Sequence, residues 1–377
     1  MSRTLRPRTP GEWTRQPMDL PPQSDLAAVF ETKSCLVGLG WNTNEKGGAE
    51  AALWSSTDGR DWHSSLTLGS YAGLLAIPWK YGVLVTASDR QEPLLPPSAW
   101  HSDDGKEWSP VEMGDTNSMT GVAFEGGVGT DDGILAWGRG PDGPGLWRSR
   151  SGSEWVRSEL TGEVDLIVPT AGELLAFGKE RESRRAFLAS SPDGVDWSKN
   201  FDGARSLEGV APASVVAFQG GMVLAGSDLM QGIGAVLVSD DGRGWYRVPF
   251  QPATGTSIEH LATLRDRLLA VGADNRKRRG GRGTLAVWQS SDGVVWEEVV
   301  DPSGLLIDSV GHSVTVADGR VRIWGSAFGD GIEVGPSGIP VHWEWTPSDA
   351  RSHDEAVPQS DADPAEPEVV PAGAGSH

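Results

Sequence analysis

The sequence predicts an all-β protein: a seven-bladed β-propeller of four-stranded antiparallel blades, its ring closed by an N-terminal strand at about residues 12–17 that joins the C-terminal blade. Three observations carry that expectation. Six times the chain writes Ser, any residue, a turn residue, Gly, two residues and Trp, ending at Trp62, Trp108, Trp155, Trp197, Trp245 and Trp296. The steps between these tryptophans are 46, 47, 42, 48 and 51 residues, a period that marks a radial array of small sheets burying each other's faces. A seventh tryptophan, Trp13, stands 49 residues before Trp62, and Gly11-Glu12-Trp13-Thr14-Arg15-Gln16 imitates Gly152-Ser153-Glu154-Trp155-Val156-Arg157.

Taken in chain order, the first segment supplies that seventh tryptophan strand and has no partner nearby. Blades two to five then place second strands at Gly82 to Ala87, Gly133 to Gly138, Glu173 to Gly178 and Gly221 to Gly226. Blade six shows the frame most openly: apolar runs at Ile258–Leu264, Leu268–Gly272 and Leu285–Trp288, then the turn, then a run from Trp296. Four short strands at even spacing are the cue for a propeller blade. After Trp296 come only three more strands, near Ile307 to Val316, Arg320 to Gly325 and Pro340 to Trp345. The missing fourth is the Trp13 segment, and closing the ring this way removes the open edges of an unclosed array.

The turns read Ser56-Thr57-Asp58-Gly59, Ser102-Asp103-Asp104-Gly105, Ser149-Arg150-Ser151-Gly152, Ser191-Pro192-Asp193-Gly194, Ser239-Asp240-Asp241-Gly242 and Ser290-Ser291-Asp292-Gly293. Asp before Gly is hairpin chemistry: the carboxylate accepts from nearby backbone N–H groups, and Gly takes positive φ without steric cost. Ser adds a local side-chain bond. This motif resembles the Asp box, or BNR repeat, of sialidase-like propellers, in five full copies (Asp58, Asp104, Asp193, Asp241, Asp292) and one with Ser151 in the Asp place. The resemblance implies that the boxes are structural and lie at the rim opposite a binding face. It does not extend to a sialidase site: Arg-Ile-Pro is absent, and of Tyr71, Tyr81 and Tyr246 only Tyr71 is expected near the channel mouth.

Composition fits one domain over residues 11–349, preceded by a flexible N-terminus (1–10) and followed by a disordered acidic, Pro/Ala-rich tail (350–377) that lacks the apolar surface to offset its ordering entropy. The net charge of −20, from 52 acidic and 32 basic residues, opposes nucleic-acid and acidic-membrane binding. No segment is apolar enough to span a bilayer or to serve as a signal peptide. Cytoplasmic residence is therefore the default expectation, and a monomer is expected; the single Cys35 excludes an internal disulfide, suits a reducing compartment and reads as a buried small hydrophobe. Histidines are scattered without ligand spacing, so neither metal nor cofactor is expected.

Function is expected on the loops joining second to third strands. Two of these are basic: Arg181, Arg184 and Arg185 in blade four, and Arg276, Lys277, Arg278, Arg279 and Arg282 in blade six. Between them blade five offers Leu229 and Met230, and blade two offers the run Pro93 to Pro97. Apolar tips flanked by positive charge favour a protein partner, with an acidic segment suited to the arginines. A non-enzymatic binding or scaffold propeller is therefore the primary reading, with carbohydrate as the second ligand class. The alternative is a glycoside hydrolase using a carboxylate pair drawn from Asp25, Asp165, Glu208, Glu259 and Asp308, which the aligned inner strands are expected to hold at one height around the channel mouth.

Overall fold

A computed structural model describes residues 8–89, 95–114, 119–250, 255–279, 282–317, 319–328 and 338–347. Each blade is a four-stranded antiparallel sheet, and seven of them form the ring. The inner strands are Ser24–Glu31, Tyr71–Trp79, Ala123–Thr130, Glu163–Pro169, Val210–Phe218, Thr256–Leu264 and Ser309–Ala317. A 3-10 turn at Arg205–Leu207 leads into the inner strand of blade five. Among the described residues, no helix is long and apolar enough to cross a membrane.

Closure follows the expected route and goes further. Residues Gly11 to Pro17 pair antiparallel with Pro347 to Val341, which sets Trp13 opposite Trp345. The strand begins at Arg8, earlier than the 12–17 the sequence predicts. Arg8, Thr9 and Pro10, assigned above to the flexible N-terminus, pair in parallel with Glu298, Val299 and Val300 of blade six. One strand therefore completes blade seven and also stitches it to blade six, fusing the two into an eight-stranded sheet. The acidic tail from residue 350 and the first seven residues lie outside the described residues.

The core is a set of apolar layers between neighbouring blades rather than one central mass. The periodic tryptophans serve those layers, as their spacing implies. Trp62 of blade one meets Trp324 of blade seven edge to face at 5.9 Å, and Trp245 of blade five meets Phe177 of blade four at 5.4 Å. In five of the six turns the indole N–H donates to the carbonyl of the turn glycine at 2.8–3.1 Å. That glycine sits at φ between +75° and +85° in all six copies, a region closed to most side chains. The serine Oγ accepts from the same glycine's N–H at 2.8–2.9 Å in every copy.

A second recurring device positions the channel mouth. Each inner strand carries a β-bulge near its start, which leaves an extra residue outside the ladder. In six blades a glycine of the second strand faces it: Gly40, Gly138, Gly178, Gly226, Gly272 and Gly325. A Cβ at any of these would strike the carbonyl oxygen of Asp25, Ala123, Glu163, Ala211, Ser257 or Val310 respectively.

Candidate binding face and channel mouth

The bulges determine which side chains share a height. Counting from the facing glycine, the extra residues are Ala27, Glu125, Asp165, Ala213, Glu259 and His312 in blades one, three, four, five, six and seven. Of the five carboxylates expected in one ring, only Asp165 and Glu259 are equivalent. Asp25 lies two residues before its bulge and is paired with Trp41. Glu208 and Asp308 precede their inner strands altogether. Glu208 Oε1 accepts from the Ala186 N–H at 3.1 Å, a tie between blades five and four. Asp308 adopts φ +50°, and its carbonyl accepts from the Phe328 N–H at 2.9 Å, while its Oδ1 is buried without a partner.

The mouth holds two separate groups of charge in place of a ring. Across blades three and four, Arg139 bonds Glu125 at 2.9 Å and Glu163 at 3.3 Å; Lys179 lies 3.0 Å from Asp165 and 3.6 Å from Glu163; Arg184 reaches Glu163 at 2.6 Å. Burial is the largest influence on Asp165 and raises its carboxyl, with Lys179 pulling the other way. Burial would raise Glu163 too, but the Arg184 hydrogen bond and the charges of Lys179, Arg184 and Arg139 outweigh it and hold the carboxyl low. Across blades six, seven and one, His260 bonds the His312 backbone and feels the Glu259 charge, and His312 feels Asp25 and Glu259. Burial, the leading cause, lowers both imidazoles and favours the neutral rings. Among the described residues, no group of three or more His, Cys, Asp or Glu is arranged to hold a metal ion.

On the loop face the arginines of blade four are committed to the protein itself. Besides Arg184, the Arg181 Nη1 donates to the Asp142 carbonyl at 3.1 Å, and the Arg185 guanidinium stacks 4.7 Å over Phe201. In blade six the expected loop is instead an arm of the sheet, with strands Arg267–Arg279 and Arg282–Ser290. Its register skips between Asp274 and Arg279, so four residues stand opposite one. Arg276 makes a bidentate pair with Asp274 at 3.0 and 2.8 Å. The side chains of Lys277, Arg278, Arg279 and Arg282 lie outside the described residues, although their backbones belong to the arm.

Among the described residues, blade five carries the most exposed apolar side chains of this face, Leu229 at 67% and Met230 at 87%. Their backbone is pinned. The buried Asp228 accepts from the N–H groups of Met230 and Gln231 at 2.9 Å through Oδ1, and from Arg247 through Oδ2 at 2.5 Å. Leu229 N–H donates to the Gly209 carbonyl at 2.8 Å. Further links run from Gly255 N–H to Gly232 and from Asn275 N–H to Gly255, both at 2.9 Å, joining this tip to the arm of blade six. In blade two, residues 93 and 94 of the Pro93–Pro97 run lie outside the described residues, and Leu95 is half exposed.

The tyrosines stand as the strand order implies. Tyr71 opens an inner strand and shares a hydrogen bond with Ser98 at 3.0 Å, whereas Tyr81 and Tyr246 are exposed on a turn and an outer strand.

No protein-family model matches the chain, and no curated protein matches it in sequence. Solved structures match in fold alone. A streptogramin B lyase is similar at TM-score 0.58 and 8% identity over 89% of this chain and 98% of that one. The β-propeller domain of the Trilobed protease from Pyrococcus furiosus is similar at TM-score 0.54 and 9% identity over 85% and 95%. The SapL1 lectin in complex with alpha methyl fucoside matches at TM-score 0.45 and 16% identity over 74% and 97%.

Proposed function

We propose that this chain is a non-enzymatic propeller of the Asp-box, sialidase-like type that presents its loop face to a protein partner. The observation that carries the reading is the Leu229–Met230 tip: two large apolar side chains held out in solvent on a backbone fixed by Asp228, beside an arginine-rich arm. A pre-ordered apolar knob loses little entropy on docking, which is the property of a binding anchor. The arm supplies positive charge in an acidic protein and suits a partner with an acidic flank. The charges of blades three and four, by contrast, are spent on one another. Cytoplasmic residence and a monomeric state belong to this proposal; cell fractionation and the sedimentation mass of the full chain test them.

The test is capture of partners from native lysate by the full chain, compared with Met230→Glu and with Arg278→Glu combined with Arg279→Glu. Loss of the same specific partner in both variants, with unchanged circular dichroism, is the expected result. An identical partner set with both variants overturns the reading.

A second reading, a glycoside hydrolase acting at the mouth, draws on one observation. Glu163 and Asp165 stand two residues apart with their carboxyls pushed in opposite directions, the pattern of an acid beside an ionised partner. Hydrolysis of a glycoside by the chain, abolished in Asp165→Asn, would replace the first reading by this one.

A further inference from the structure

The six Ser-x-x-Gly turns are internal copies of one another, and the copy in blade three lacks the group that the others share. In the five turns with aspartate, Oδ1 accepts from the backbone N–H groups two and three residues on, at 2.8–3.3 Å. In blade three Ser151 stands there. The frame is unchanged: Gly152 has φ +85°, its N–H reaches Ser149 Oγ at 2.8 Å, and Trp155 Nε1 reaches the Gly152 carbonyl at 2.8 Å. The Ser151 hydroxyl is too short to do the carboxylate's work. It accepts from the Ser153 N–H only at 3.4 Å and shares a 2.7 Å hydrogen bond with the Ser153 hydroxyl, while the Glu154 N–H has no acceptor among the described residues.

A cavity of about 320 Å³ opens on this turn, between the outer strand of blade three and the turn of blade four. Its lining includes Ser151, Glu154, Arg148, Arg150 and Arg157. Arg157 is engaged with Asp142 and the Pro144 carbonyl. The guanidinium groups of Arg148 and Arg150 form no hydrogen bond or ion pair among the described residues, although the Arg148 charge reaches Asp193 in the neighbouring turn. Both guanidinium groups border the cavity, in a chain of net charge −20. Beside them lie two backbone donors whose sister groups all hold a carboxylate.

We propose that this turn is an acceptor site for a carboxylate supplied in trans, the aspartate or glutamate side chain of a partner peptide, which completes the turn as the resident aspartate does in the other blades. Two N–H donors in fixed geometry converge on one anionic oxygen, as they do on Oδ1 in the sister turns, and the arginines add charge-assisted bonds and long-range attraction. Valines 156 and 195, also in the lining, give the methylene stem an apolar wall. Glu154 is the one acidic group in the lining, and it opposes the incoming charge. The site lies on the rim away from the loop face and stands independently of the function proposed above.

The experiment follows backbone amide shifts of the full ¹⁵N-labelled chain during titration with N-acetyl-aspartate amide, its uncharged isostere N-acetyl-asparagine amide, and inorganic phosphate. The expected result is saturable shifts at Ser153 and Glu154 with the aspartate probe alone, with Kd on the order of 1–10 mM for so small a ligand. Ser151→Asp fills the site in cis, so affinity should fall at least about tenfold while the melting temperature does not drop. Glu154→Gln should tighten binding, and Arg150→Glu should weaken it. Equal shifts from the asparagine probe, tighter binding of phosphate than of aspartate, or undiminished affinity in Ser151→Asp would each overturn the proposal.

Discussion

His342 gives the sharpest test of how this ring responds to acid. It lies on the third strand of blade seven with 2% of its surface exposed, its ring 4.8 Å from that of Trp324. Its Nδ1 is buried without a partner. Burial is the main cause that lowers the imidazole from 6.5 to about 4, and Glu344, 3.9 Å away, only partly offsets it. Between those two values the unfolded chain binds a proton that the folded chain refuses, so stability rises with pH across the window and is lost as pH falls from 6.5 toward 4. With these endpoints, His342 alone accounts for a loss of about 2 kcal/mol at pH 5 and about 3 kcal/mol at pH 4, relative to neutral pH. The perturbation is His342→Phe, which keeps a ring against Trp324 and removes the titration. Urea unfolding of the full chain should show a pH slope shallower than wild type by that amount, and imidazole shifts of the wild type should stay at neutral-ring values down to pH 5. Parallel stability curves for the two proteins, or a His342 resonance that titrates near 6.5, would refute the argument. His260 and His312 are lowered in the same sense, so the variant should retain a residual slope.

Other substitutions test the construction. Gly272→Ala drives a methyl group into the Ser257 carbonyl and should cost about 3 kcal/mol in thermal or urea unfolding. Asp292→Ala removes the acceptor of the Val294 and Val295 N–H groups and should cost about 1 kcal/mol, as loss of a cap does. In the Asp58 and Asp104 turns, backbone N–H donors hold the carboxyl below its usual range. Their contribution is therefore complete above the ordinary carboxylate range and disappears only as pH falls through the lowered values, which acid unfolding of Asp58→Asn against wild type should show. Trp62→Ala empties the junction with Trp324 between blades one and seven and should cost about 3–5 kcal/mol by calorimetry.

The blade count was legible because its signal is local and repeated: turn, glycine and indole lie within seven residues and bond one another. Closure was legible because the Trp13 segment copies the words around Trp155. The height of the mouth side chains was not, because the crossovers vary in length and a bulge adds a residue that no apolar pattern records. A usable signal was present in the second strands. Counting from Gly138, Gly178, Gly272 and Gly325 brings Glu125, Asp165, Glu259 and His312 into line, and exposes Asp25, Glu208 and Asp308 as out of step. The blade-six arm looks like a loop in the sequence because arginines hide the pairing; its strands rest on backbone pairing, while the Asp274–Arg276 clasp lies within one of them. Which arginines were free could not be read at all, since Arg181, Arg184 and Arg185 are occupied by partners distant in sequence.

The strand that begins at Arg8 has a consequence for biogenesis. It leaves the ribosome well before either of its neighbours, which are synthesised some three hundred residues later. At ordinary elongation rates that interval lasts tens of seconds. Throughout it the nascent chain carries an unsatisfied ribbon, open to pairing with another molecule. Because that ribbon pairs with two sectors, blade six through Arg8 to Pro10 and blade seven through Gly11 to Pro17, the same segment offered by a second copy could take its place at the seam.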